Sequence, residues 1–437
     1  MRAGNPWAAA IVMCLVAAGC GNSSESGGSG GSDDAADDAD GEVEAVDAPG
    51  VTDTEIHVGG VASTTNPLDG KFGEAFDGVE AYFAMVNEDG GVHGRELVLA
   101  AEHDDQVANN DAAVQALLTQ DDVFAVLPVA SLLFTGADEL VDANMPTFGW
   151  TLNPEWEGTS EDPRENLFGQ NGSFLCFGCA SPVTPYVADL AEASRIGLLA
   201  YNVPQSADCA TGIERSFETY QEPGAPTVAF SDKSLTYGVA DLSVQVSRMK
   251  DEGVDLVMTC MDLQGVVALA REMRRQSLDA VQYLPNGYDQ GLLDEFGDLF
   301  QGSYVLTFFA PFEVEEPPAG LQDYLEWMER TGGEPTENSM NGWLSAALLV
   351  EGLREAGPGF TQQKVIDAIN QLTDWDADGL LGGVDWTRAH TESPDPSCVA
   401  LSRIEGDEFV PVPGVPGEPF VCLDREAEGI PEGTTSD

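Results

Sequence analysis

Positive charge is what this sequence has least of. Its 437 residues include 18 lysines and arginines against 76 aspartates and glutamates, a net charge of −58, and only four lysines: Lys71, Lys233, Lys250 and Lys364. Such a surface repels phosphate backbones and anionic headgroups, which excludes nucleic acid as a partner. Histidine is equally sparse. His57, His93, His103 and His390 fall in no HExxH or similar ligand spacing, and neither a GxSxG elbow nor a Walker loop is present. Without a catalytic constellation an enzyme is not expected, and no residue set asks for a metal or cofactor. Long apolar runs are missing too: Trp7 to Ala18 (WAAAIVMCLVAA) is too short to span a bilayer stably.

What is there begins with an export signal. Arg2 precedes the apolar run, which ends in "LVAAGC", the pattern of a bacterial lipobox, with small residues before Cys20. Residues 1–20 are read as a lipoprotein signal peptide, and Cys20 as the residue that takes the lipid and anchors the chain to the membrane. Residues 21–50 form a linker. Gly and Ser make it flexible, and nine acids, from Glu25 to Asp47, make it self-repelling and extended. The localisation expected is extracytoplasmic, with the folded part held off the membrane.

A hydrophobic content of 43% supports sizeable cores. From residue 54 strands and helices alternate. "EIHVGGVAS" reads as a strand, "GEAFDGVEAYFAMVNE" as a helix with Phe76, Val79, Phe83 and Val86 on one face, and "RELVLAAEHDD" as the next strand. The pattern restarts at "TPYVADLAEAS" and runs to "VQYLPN". The chain is therefore α/β, with two doubly wound, mostly parallel sheets. "SCVALSRIEGDEFVPVP" reads as a terminal hairpin turning at Gly406.

Between the first helix and second strand lies "VNEDGGVHGREL". Gly90 or Gly91 can take the left-handed conformation that ends a helix, and Gly94 permits a tight turn. His93 reads as a solvated loop residue. This stretch resembles the N-x-x-GG-x-x-G-R signature of the leucine/isoleucine/valine-binding family of solute-binding proteins for ABC importers. The resemblance continues through "FAVLPVAS", "MPTFGWTLNPEW", "DLSVQVSRMKDEGVDLV" and "QGSYVLTFFAPF" and covers nearly all of residues 51–425. It implies a type I periplasmic binding protein: two Rossmann-like lobes joined by three hinge crossings, closing on a small solute. The corresponding boundaries are 51–172 for the first part of lobe I, 173–302 for the main part of lobe II, 303–373 for the return to lobe I, 374–425 for the C-terminal strands of lobe II, and 426–437 for a tail. The partners it implies are a small polar solute, such as an amino acid or amide, and ABC permease subunits. A ligand sensor on the same fold, coupled to signalling, is the alternative reading, and an extracellular enzyme a further one.

In open α/β sheets ligands bind beyond the carboxyl ends of strands, where helix N-termini offer free N–H groups. Those ends give Ser63, Thr64, Ser131 and Thr151 on lobe I, and Tyr201, Asp262, Asn286 and Tyr288 on lobe II, as candidate ligand-binding residues. The resemblance places Ser131 and Thr151 within one residue of the family's contact positions. Amino-acid-binding members carry an acid for the substrate ammonium where this chain has Asn286, and two of their tyrosines fall roughly at Cys209 and Asp262.

Six cysteines remain after Cys14 leaves with the signal and Cys20 is lipidated, an even number that reads as three disulfides in an exported protein. Cys176 and Cys179 ("CFGC") are close along the chain, and their acidic surroundings oppose a redox role. Cys398 and Cys422 flank the terminal hairpin and its return. In a doubly wound sheet the first and third strands of a lobe are neighbours, which brings Cys209 and Cys260 to one edge. "DWDADGLLGGVD", residues 374–385, matches an EF-hand loop at Asp374, Asp376, Asp378 and Gly379. It lacks the glutamate at position twelve, where Asp385 stands, and the helix that should follow. It is read as a turn and not as a calcium site.

Overall fold

The computed structural model describes residues 44–423 except 69, 221–223, 240, 286, 395–396 and 413–414. The signal peptide with Cys20, most of the linker, Asn286 and the tail lie outside the described residues. No helix among those described is long and apolar enough to cross a membrane.

The first lobe is a five-stranded parallel sheet: β1 (Glu55–Ala62), β2 (Glu96–Asp104), β3 (Ala125–Ala130), β4 (Thr147–Gly149) and β5 (Leu167–Gly169), in the order β2-β1-β3-β4-β5. Its crossovers are α1 (Glu74–Glu88), α2 (Asn110–Thr119) and α3 (Ala137–Asp142). Spacings of three and four residues put Phe76, Val79, Phe83 and Val86 on the buried face of α1.

The second lobe contains β6 (Arg195–Tyr201), β7 (Thr227–Leu235), β8 (Leu256–Cys260), β9 (Val281–Leu284) and β10 (Tyr304–Thr307), followed late in the chain by β11 (Ser397–Glu405), β12 (Glu408–Val412) and β13 (Val421–Leu423). Its order is β12-β11-β10-β9-β8-β6-β7, with β13 on β11. Strands β6 to β10 are parallel and β11 to β13 antiparallel. Helices α4 (Val183–Leu190), α5 (Pro204–Thr219), α6 (Ser243–Asp251), α7 (Leu263–Gln276) and α8 (Gln290–Phe296) belong to this half. Then α9 (Ala319–Thr331), α10 (Glu337–Ala356) and α11 (Gln362–Ile369) return to the first lobe, where α9 and α10 pack on α1 and α10 also covers β3 and β4. Helix α10 is apolar almost all round because it is enclosed on all sides, and its Thr336–Ser339 capping box fixes its start.

The chain thus crosses between lobes three times, at residues 170–182, 308–318 and 370–396. The crossings are bound to one another: Ser173 and Phe174 donate their N–H groups to the Ala389 carbonyl, both at 2.9 Å, and Ala310 donates to Leu380 at 2.9 Å. Two expected boundaries shift. Tyr304–Thr307 is wholly buried and pairs with β9 and β11, so the return to lobe I starts after Thr307 and not at 303. At the other end, residues 44–50, read as linker, lie against the domain: the Glu44 carbonyl accepts from Arg95 Nη2 at 2.7 Å, and Val46 and Ala48 pack on the core.

The glycine turn owes its composition to close approach. Gly91 has φ +74°, and a Cβ there would fall 1.9 Å from the Arg95 carbonyl oxygen. Asn87 exchanges two hydrogen bonds with Leu97, and the fully buried Arg95 donates to the Thr52 and Glu44 carbonyls. His93 is not a solvated loop residue. It is half-buried, bonds the Leu353 carbonyl at 2.9 Å and stacks on Phe360, docking the turn on α10.

Three disulfides are present: Cys176–Cys179 in the first crossing, Cys209–Cys260, and Cys398–Cys422 between β11 and β13. The second follows from strand order, since β6 lies beside β8 and Ala200 pairs with Cys260.

Candidate functional site

At the carboxyl edge of lobe I the structure turns three candidate hydroxyls inward. Ser63 is fully buried; its hydroxyl donates to Asp105 Oδ1 at 2.7 Å and accepts from Leu132 N at 3.0 Å. Ser131 Oγ accepts from Asn110 Nδ2 at 3.0 Å, and Asn110 also reaches Asp105. Thr151 donates to the Gly172 carbonyl at 3.0 Å, and its N–H is held by Gln170 at 2.8 Å. These groups tie the strand ends to the loops beside them. Thr64 is exposed. Burial raises the Asp104 carboxyl, but hydrogen bonds from Thr65, Gln106 and Thr64 outweigh it and hold that group down at about 2. An apolar cluster of Ala62, Phe72, Ala75, Phe76 and Ala130 fills the rest of the edge, and Trp150 stacks on Phe72 with ring centroids 5.5 Å apart.

At the facing edge of lobe II, Asp262 caps α7 by accepting from Gly265 N at 2.9 Å. It also accepts from the Tyr201 hydroxyl at 2.8 Å and from Tyr237 at 3.5 Å. Burial, then the Asp262 carboxylate, pushes the Tyr201 hydroxyl far above its ordinary range, so it serves as a donor. A Cβ on Gly265 would fall 2.2 Å from that hydroxyl, so glycine is what admits the pair. Ser206 links the Tyr201 N–H to the Cys260 carbonyl, beside the disulfide. Tyr288 serves the hinge: it donates to Glu313 Oε2 at 2.6 Å and accepts from Phe312 N at 2.7 Å. Asn286 lies outside the described residues.

A third group spans the two lobes and was not singled out from sequence. Lys71 Nζ lies 3.4 Å from Glu74 Oε1, and Glu74 Oε2 accepts from the Thr336 hydroxyl at 2.8 Å. Next to Thr336, Glu337 opens α10 with no hydrogen bond or ion pair among the described residues. Burial, and then the charge of Asp289 on lobe II, push its carboxyl up to about 7. Lys71 feels Glu74 most, then Glu334 and Asp289, and is raised. The sequence signal for Glu337 is slight: a "TENS" helix start with nothing to say what it faces.

Away from these edges, a hollow of about 440 Å³ lies between α1, α9, α10 and residues 371–378. Asp374, Asp376 and Asp378 border it; Trp375 and Val384 exchange backbone hydrogen bonds, and Asp385 accepts from Thr387. Among the described residues no three His, Cys, Asp or Glu side chains are placed to hold a metal ion.

Two α/β lobes, one with a parallel sheet and one with a mostly parallel sheet, joined by three crossings bonded to one another, define the bilobal architecture of a binding protein. The chain belongs to the periplasmic binding protein family, whose model matches residues 55–407. No curated protein sequence matches it. Among solved structures it is similar to the fatty acid ABC transporter substrate-binding protein of Thermomonospora curvata, with 18% identity, 88% of this chain and 97% of that one covered, and a TM-score of 0.66. It is also similar to the branched-chain amino acid transporter substrate-binding protein of Streptococcus pneumoniae in complex with isoleucine, with 15% identity, coverage of 82% and 99%, and a TM-score of 0.65. A solute-binding protein of R. palustris in complex with benzoate has 15% identity, coverage of 85% and 98%, and a TM-score of 0.66. At these identities the likeness is one of fold.

Proposed function

We propose that the chain is the lipid-anchored, extracytoplasmic receptor of an ABC importer, capturing a small solute between its lobes and delivering it to the permease. The observation that carries this reading is the pair of α/β lobes joined by three chain crossings that are bonded to one another through Ala389 and Leu380. Family membership over residues 55–407 supports it. Thr64 and Trp150 on one side and Tyr201 and Asp262 on the other would line the cleft. Ser63, Ser131 and Thr151 would hold the strand ends in place, and Tyr288 would couple closure to the hinge. The Cys20 lipid would keep the receptor at the membrane. Relatives in complex with isoleucine and benzoate, and one named for fatty acids, make a wide screen appropriate. A thermal-shift screen of the purified protein against amino acids, amides, amines, aromatic acids and fatty acids tests the reading. At least one class should raise the melting temperature in a saturable way, and a screen without any shift would refute solute capture.

A further inference from the structure

We propose that the hollow between α1, α9, α10 and residues 371–378 is a second binding site, which takes a hydroxylated organic amine of about the size of an amino sugar. It is separate from the cleft: none of the strand-end residues of either lobe lines it.

The hollow measures about 440 Å³, a volume ordinary for a small-molecule site. Its floor is aromatic. Tyr82 of α1 and Trp343 of α10 meet edge to face with ring centroids 4.8 Å apart, and Trp375 of the third crossing completes the surface. Trp343 is 1% exposed, yet its indole N–H has no hydrogen-bond partner among the described residues. Trp156 and Trp386 also lack a partner for this group, but theirs are sealed inside the core and that of Trp343 is not. Trp343 lines the hollow, so the hollow is where its N–H opens. An indole nitrogen only donates, so it calls for a lone pair on whatever enters.

The rim is acidic. Asp323 of α9, Glu351 of α10 and the three aspartates of the crossing stand there, and Arg354 is the one cation among the described lining residues. Burial raises the Tyr82 hydroxyl to about 12; Arg354 opposes the rise, and Asp378, Glu351 and Asp323 add to it. Burial and then the charge of Asp378 raise Asp323 as well. A cation entering the hollow relieves this repulsion, and an anion meets it in full. The aromatic floor also favours a cation. A bare metal ion does not fit, because these carboxylates are not grouped as metal ligands. The rim is held in place by backbone: Gly320 N–H donates to the Asp378 carbonyl at 3.0 Å, and a Cβ on Gly320 would fall 2.4 Å from the Ala377 carbonyl oxygen. An ammonium for the carboxylates and a hydroxyl oxygen for Trp343 are both supplied by a hydroxylated amine. A neutral sugar lacks the first, and a plain alkylamine lacks the second.

Titration calorimetry on the full chain, in about 0.15 M salt to screen loose attraction to the acidic surface, tests this with three six-membered-ring probes. Glucosamine carries charge and hydroxyls, glucose hydroxyls only, and cyclohexylamine charge only. Glucosamine should bind one to one and at least about tenfold tighter than either other probe. Asp323→Asn, at an exposed position, and Glu351→Gln should each weaken it by about fivefold or more, with the melting temperature of the free protein retained. Trp343→Phe, which removes the N–H, should cut the advantage of glucosamine over cyclohexylamine. Failure of glucosamine to bind, equal or tighter binding of glucose or cyclohexylamine, or an affinity for glucosamine unchanged in both acid variants would each overturn the proposal. So would tighter binding of calcium ions than of glucosamine, lost in the same variants. The cleft reading survives any of these results, since it is tested by the thermal-shift screen.

Discussion

At the scale of single residues, the glycine turn separates two costs that sequence alone cannot. Gly90 (φ +96°) has open space where a Cβ would go, whereas Gly91 (φ +74°) has the Arg95 carbonyl 1.9 Å away. Gly90→Ala should cost about 1 kcal/mol through its backbone conformation alone. Gly91→Ala should cost roughly 3 kcal/mol or more, because the backbone must also move. Urea unfolding of the two variants checks the difference, and equal losses would mean that close approach is not what the turn requires. His390 provides a pH test. It is 4% exposed, its Nε2 meets Asn370 Oδ1 at 2.7 Å, and burial pushes it down to about 4 from 6.5. The unfolded chain takes up the proton first, so the neutral ring's contribution is complete above 6.5 and is lost as pH falls towards 4. The stability difference between the natural protein and His390→Gln should therefore shrink over that window, by on the order of 2–3 kcal/mol. A constant difference would contradict the burial argument. Much at this scale was hidden in the sequence. Strand ends could be located, but not the direction of their hydroxyls, because Asp105 and Asn110 in the neighbouring loop decide it.

At the scale of elements, regular patterning carried far. The two sheets, the α1 face and the strand order that pairs Cys209 with Cys260 all follow from periodicity and crossover rules. Three-residue β5 did not show itself, because so short a strand has no alternation to read. Glu337 escaped notice for another reason: it opens a helix that returns to lobe I after the main part of lobe II. The Cys209–Cys260 bond joins residues 51 apart in sequence and holds the end of β8, two residues before Asp262, to the second turn of α5. The Cys209→Ser/Cys260→Ser double variant should lose about 4 kcal/mol of stability. It should also bind the solute more weakly, as the Asp262 cap loosens. Unchanged unfolding midpoint and affinity would show that strand pairing alone holds that edge.

At the scale of the whole molecule, Cys20 and hinge closure are the two expectations that matter most. If the lipid anchors the chain, Cys20→Ser should move it from the membrane to the soluble fraction, and unchanged fractionation would refute the anchor. Closure would rest on the three crossings, which are tied to one another through Ala389 and Leu380 and would bend as a unit while each lobe kept its sheet. Small-angle X-ray scattering of the purified protein tests this most directly, with and without a saturating amount of the solute that gives the largest thermal shift. A smaller radius of gyration with the solute bound is the expected result; superimposable curves at saturation would contradict capture by lobe closure.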